Sequence, residues 1–129
     1  MFKRLKAAVI WAKLINCYNR QDYNGAAEFA CQYRAIANNN NAAFRALDAT
    51  LDIFNHKSDV AREKFQGLAY YLSEISGDDS AYIKLYAEYY ICLIEKNVDC
   101  EEIRQAALSI SANSQIKKWL RLPNTEVPI

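Results

Sequence analysis

Apolar side chains recur along this chain every three or four residues, the spacing of one face of an α-helix, and no segment sustains a period-two alternation. The first helical segment is expected over about Phe2 to Asn19, with Ala7, Trp11, Leu14, Ile15 and Tyr18 at helical spacing and Lys3, Lys6 and Lys13 on another side. The second follows Asp22 and carries Ala26, Ala30 and Tyr33, its alanines permitting close approach of a neighbour. Phe44, Leu47, Leu51 and Phe54 mark a third stripe, and Ala61, Phe65, Leu68, Ala69 and Leu72 a fourth. The fifth, about Ala81 to Lys96, is apolar or aromatic nearly all round and is expected to sit centrally. A sixth opens at Asp99 with Glu102 three residues on, a capping-box arrangement, and is expected to bury Ile103, Ala106, Ala107 and Ile110. A last short helix with Ile116, Trp119 and Leu120 is placed to cover the open end.

The breaks fall near residues 20–22, 38–41, 56–59, 76–80 and 97–99, and three of them are alike. Arg20-Gln21-Asp22, Lys57-Ser58-Asp59 and Lys96-Asn97-Val98-Asp99 each place a basic residue at the end of one helix and an aspartate at the start of the next. An aspartate there accepts from the free amides of the opening helix, so Asp22, Asp59 and Asp99 are expected N-caps. The predicted fold is therefore all-α: three stacked antiparallel helical hairpins plus a short C-terminal capping helix. One domain is expected over 1–122, with residues 123–129 a flexible tail. With only 3 Gly and 2 Pro in 129 residues, the composition supports helices over a turn-rich β-sandwich.

Trp11-x-x-Leu14, then Tyr18, then Asp22-Tyr23 and Ala26 resembles the first-repeat pattern of tetratricopeptide proteins over about residues 8–37. In that family a bulky residue and a leucine on the first helix pack against a small residue on the second. The family's turn glycine is absent here, since Gln21 directly precedes Asp22, and its closing proline is replaced by Asn38-Asn39-Asn40-Asn41. The later hairpins share only the helical rhythm, at a spacing longer than the family's roughly 34 residues. The resemblance implies an α-α superhelix that binds peptides or protein surfaces.

Charge changes the picture because it is segregated. The net charge is +1, yet residues 1–34 carry +4 and residues 74–102 carry −6, with eight acids against Lys84 and Lys96. A single-sign region steers an oppositely charged partner. The acidic third hairpin also holds Tyr82, Tyr86, Tyr89 and Tyr90, out of 9 tyrosines in all. Tyrosine joins apolar area to a polar tip, which suits both interfaces and helix packing. The expected partner-binding set is Tyr82, Tyr86, Tyr89, Tyr90, Glu88, Glu95, Glu101 and Glu102. The acids repel phosphate, so nucleic acid is not an expected partner, and the basic first helix reads as a helix with a wet face, so no membrane is expected either.

Candidate chemistry is sparse. There is no glycine-rich phosphate loop, no G-x-S-x-G and no H-E-x-x-H. Asp48, Asp52 and the single histidine, His56, share helical spacing and form the one conceivable hydrolytic or metal constellation, against the plainer reading of a charged ridge. Cys17, Cys31, Cys92 and Cys100 show no C-x-x-C spacing and are expected to be free thiols of a reduced, cytoplasmic protein, with a Cys17–Cys31 bridge the weighed alternative. The apolar run Ala7 to Ala12 is too short for a signal peptide and is broken by Lys13.

The sequence thus points to a non-enzymatic protein-binding module without cofactor, metal or catalytic residue. Its acidic, tyrosine-rich surface would meet a basic protein. A concrete form is a bacterial immunity or antitoxin protein that neutralises a toxin nuclease. The alternative is a nucleic-acid- or membrane-surface-associated protein using the basic ends (Lys3, Arg4, Lys6, Lys117, Lys118, Arg121), or a small hydrolase.

Overall fold

The computed structural model describes residues 2–37, 41–73, 76–123 and 127. Seven helices and no strand form among them: α1 (Phe2–Asn19), α2 (Tyr23–Ile36), α3 (Ala42–Phe54), α4 (Ser58–Leu72), α5 (Asp78–Glu95), α6 (Cys100–Leu108) and α7 (Ser114–Trp119). Residues 38–40 of the predicted asparagine loop, and 124–126 and 128–129 of the predicted tail, lie outside the described residues. The chain divides into two compact units, Met1–Asn41 and Ala42–Ile129.

The first unit is the α1–α2 hairpin. Ile10, Leu14, Cys17 and Tyr18 of α1 are buried with Ala26 and Ala30 of α2. Trp11 meets Tyr33 at 5.3 Å between ring centroids, and Tyr18 meets Tyr23 edge-on at 6.0 Å. At the turn, the Asp22 carboxylate accepts from the Gly25 amide at 3.0 Å, the expected cap.

In the second unit α3 packs on both α4 and α5, α4 on α5, and α5 on α6, while α7 touches α3. α5 is central, as its all-round apolar character predicts. Its one-face row Tyr82, Tyr86, Tyr90 is fully buried, as are Phe65 and Leu68 of α4 and Leu47, Leu51 and Ile53 of α3. Phe65 stacks on Tyr90 (5.2 Å, rings 3° apart) and meets Tyr86 edge-on. The buried Thr50 hydroxyl lies 2.7 Å from the Tyr86 hydroxyl and 2.8 Å from the Ala46 carbonyl, so both hydroxyls are hydrogen-bonded inside this core.

The three like breaks share one backbone device. Gln21, His56 and Lys96 all take left-handed φ, at 63°, 62° and 57°. At each, the next residue's amide reaches back five residues (Asp22 to Cys17, Lys57 to Asp52, Asn97 to Cys92). The left-handed residue's own amide reaches back three. This is the Schellman helix stop, built three times without glycine.

Three sequence expectations change here. Asp59 is not a cap: α4 starts at Ser58, with Lys57 at the cap position and Asp59 in the first turn, where the helix dipole still favours its charge. Asp99 does occupy the cap position of α6 but its side chain makes no capping bond. Nor does α6 bury four residues, for it ends at Leu108 and only Ala107 is buried.

Candidate functional site

α5 places its four tyrosines inward. Tyr82, Tyr86, Tyr89 and Tyr90 are all buried, with ring contacts Tyr82 to Tyr86, Tyr86 to Tyr90 and Tyr89 to Tyr90 along the helix. The Tyr82 hydroxyl donates to the Leu120 carbonyl and its ring lies under the Lys117 ammonium at 5.7 Å, which fastens the segment after α7 to the core. Burial pushes the Tyr82 phenol up to about 12. Burial likewise raises Tyr89, with the Arg104 charge opposing and the Glu101 charge assisting. The physical reason for their inward placement is α5's central position: a large amphipathic ring fills the space between helices and finds a polar partner for its tip. These rings serve as packing, and the surface of the hairpin is made by other residues.

The four predicted acids lie around the α5–α6 turn, at its surface. Glu95 accepts from Arg62 of α4 at 2.7 Å, and Glu88 lies 3.8 Å from Lys84. Glu101 accepts from Gln105 at 2.9 Å and from Arg104 at 3.1 Å, and the amide and then the guanidinium hold its carboxylate below the usual value. Glu102 and Asp99 are exposed and make no ion pair with any described residue. Arg104 also donates to the Pro123 carbonyl at 3.0 Å, which ties the chain after α7 to α6.

Between these acids lies an open depression of about 350 Å³, lined by Glu88, Ile91, Cys92, Asn97, Val98, Asp99 and Ile103. Ile91, Cys92 and Ile103 contribute its apolar part. Val98 stands at the apex of the turn, 94% exposed. A β-branched side chain thus stands open beside an apolar hollow rimmed by the Glu88 and Asp99 carboxylates.

The cysteine expectation is corrected at this same place. Cys92 and Cys100 are joined by a disulfide across the α5–α6 turn, their Cα atoms 5.6 Å apart, while Cys17 is buried and Cys31 exposed as free thiols. The turn after the left-handed Lys96 brings the start of α6 beside the last turn of α5. That juxtaposition is tertiary and does not show as a C-x-x-C motif. The depression residues escaped the sequence reading for a related reason, since Ile91, Val98 and Ile103 look like ordinary core positions until the turn exposes them. The one available signal was a pair of cysteines eight residues apart astride a predicted break.

The other candidates do not assemble. Asp48 and Asp52 both pair with Lys64 of α4, at 3.1 and 2.6 Å. Burial alone would lower the Lys64 ammonium, but the two carboxylates outweigh it and hold the pKa above its usual value. His56 is exposed in the turn beyond α3, in the left-handed conformation. No group of three potential metal ligands occurs among the described residues. Of the basic ends, Arg4, Lys6, Lys118 and Arg121 are exposed, Lys117 leans on Tyr82, and the Lys3 side chain lies outside the described residues. No described helix is long and apolar enough to cross a membrane. Comparison of the chain with protein-family models, with curated proteins and with solved structures gives no match.

Proposed function

We propose that this chain is a non-enzymatic protein-binding module whose site is the α5–α6 turn. The observation that carries the reading is the coincidence of exposed Val98 and the apolar hollow with the uncompensated carboxylates of Asp99 and Glu102. Glu88, Glu95 and Glu101 add to the same field. The anchors are aliphatic, Ile91, Val98 and Ile103, in place of the tyrosines the sequence suggested. The partner presents a basic face with an aliphatic or long-chain residue at its centre. A nuclease toxin domain neutralised by an immunity protein is a partner of this chemistry.

The architecture we infer is tetratricopeptide-like. Two features support it: the packing of α1 on α2 with Leu14 and Ala26 both buried, and the neighbour pattern of α3 to α6, in which each helix touches the next and α3 also touches α5. Arrays of helical hairpins have that nearest-neighbour pattern and offer extended binding surfaces.

The test is a titration of isotope-labelled protein with an amphipathic Lys/Leu helical peptide and with its Glu/Leu counterpart. The Lys/Leu peptide should shift the amide signals of Val98, Asp99 and Ile103 first. Reversing Glu88, Glu101 and Glu102 to Lys should slow association and flatten its salt dependence. Equal response to both peptides, or shifts confined to α1 and α7, would remove the site from this turn.

A further inference from the structure

The helix α1 has two faces, and the hairpin uses one of them. Ile10, Leu14, Cys17 and Tyr18 are buried. On the opposite side Leu5 (67% exposed), Ala8, Val9 (45% exposed) and Ala12 form a continuous apolar stripe at i, i+3, i+4 and i+7. By helical rotation Arg4 flanks this stripe on one side and Lys6 and Lys13 on the other, and all three are exposed. Lys13 is also steadied over the Phe29 ring at 5.8 Å. No Asp or Glu occurs before Asp22. The face is therefore an aliphatic seam between two basic edges, with alanines that let another surface approach closely.

That is the chemistry the α5–α6 turn would receive. We propose that the exposed face of α1 docks on the acidic α5–α6 turn of a second copy of this chain. Leu5 and Val9 cover Val98 and the hollow beside it, while Arg4, Lys6 and Lys13 meet Asp99, Glu102 and Glu88. The proposal rests on the reading of that turn as a binding site and names one occupant for it. Charge decides between the geometries: two α1 faces brought together would oppose basic edge to basic edge, so the contact is head-to-tail. It also decides against a lipid surface, because Leu5 and Val9 are the large apolar side chains of the stripe and two such residues insert little area. A helix of 18 residues is about 27 Å long, so the contact falls short of the roughly 1,000 Å² of a stable interface and is weak and reversible.

Sedimentation equilibrium of the whole chain, from about 10 µM to about 1 mM, tests it at low and high salt. Association should appear in the upper range and weaken about tenfold or more when ionic strength rises from about 0.02 to 0.5 M. Two variants separate the surfaces, Leu5→Ser with Lys6→Gln and Val98→Ser with Glu102→Gln, all at exposed positions, each checked for a wild-type melting curve. Each variant alone should remain monomeric. Mixed, they should form a 1:1 dimer that grows no further, because each supplies the surface the other lacks. A monomeric wild-type chain at about 1 mM in low salt overturns the proposal, as does a variant that still self-associates, a mixture that does not pair, or binding to anionic vesicles without self-association. If the chain stays monomeric while the Lys/Leu peptide still shifts Val98 and Ile103, this proposal fails and the site reading stands. If the peptide shifts nothing either, both fail.

Discussion

Gln21, His56 and Lys96 each hold a left-handed backbone that costs a non-glycine residue on the order of 1–2 kcal/mol. Glycine would remove that strain but lose about 0.5–1 kcal/mol to its greater freedom in the unfolded chain. The strain term is the larger, so His56→Gly should stabilise by about 0.5–1 kcal/mol and raise Tm by a few degrees, measured by circular dichroism. A fall in Tm would mean that the His56 side chain makes a contribution its exposure does not suggest. Tyr82 supplies a pH dependence. Its folded pKa, about 12, lies above the ordinary value of 10.0, so the neutral phenol is the form the fold favours. Its contribution is fully present below pH 10 and is lost as pH rises toward 12, about 2–3 kcal/mol across that window. Phenolate absorbance should show one or more tyrosines titrating late and together with unfolding. Tyr82→Phe should be less stable at neutral pH, having lost the bond to Leu120, and should show a shallower alkaline transition.

At the scale of the element, α4 and the α5–α6 turn carry the clearest consequences. Leu68 is fully buried on the stripe that packs α4 against α3 and α5. Leu68→Ala should cost about 2–5 kcal/mol by lost transfer energy and the cavity it leaves, read from denaturant melts. An unchanged midpoint would place the α4 packing elsewhere. The disulfide in the α5–α6 turn closes a short loop, worth about 2–3 kcal/mol by loop-closure entropy. Thiol titration of the denatured, unreduced protein should find two free thiols, Cys17 and Cys31, and reduction should raise that to four and lower Tm. Four thiols before reduction would restore the reading drawn from the sequence.

For the molecule as a whole, the net charge of +1 conceals the property that matters, which is where the charges lie. The acid-free α1 belongs to the first unit and the acidic α5–α6 turn to the second. A partner with a basic face is steered to one and repelled by the other, so binding should respond to mutations of exposed acids mainly through on-rate and salt dependence. The buried tyrosines act at a different level. Tyr86→Ala or Tyr90→Ala should destabilise the second unit strongly, and any loss of partner binding in those variants should track loss of fold in the melting curve.

Helix type, number and rough bounds were legible in the sequence because apolar periodicity reflects which face is buried, a local property of spacing. The stripes of Leu47 and Leu51, of Phe65, Leu68 and Leu72, and the all-round character of α5 pointed to the core that the structure contains. The recurring turns were legible too, though their aspartates suggested three caps where the shared device is a left-handed helix stop, set by backbone bonds that side-chain identity does not reveal. Two matters were decided only in three dimensions. A tyrosine reads alike whether it faces a neighbour or solvent, so the burial of Tyr82, Tyr86, Tyr89 and Tyr90 depended on α5 being enclosed by α3, α4 and α6. Likewise the Cys92–Cys100 bridge and the hollow beside Val98 arise from the angle at which the chain leaves Lys96, a property of the turn and not of any spacing along the sequence.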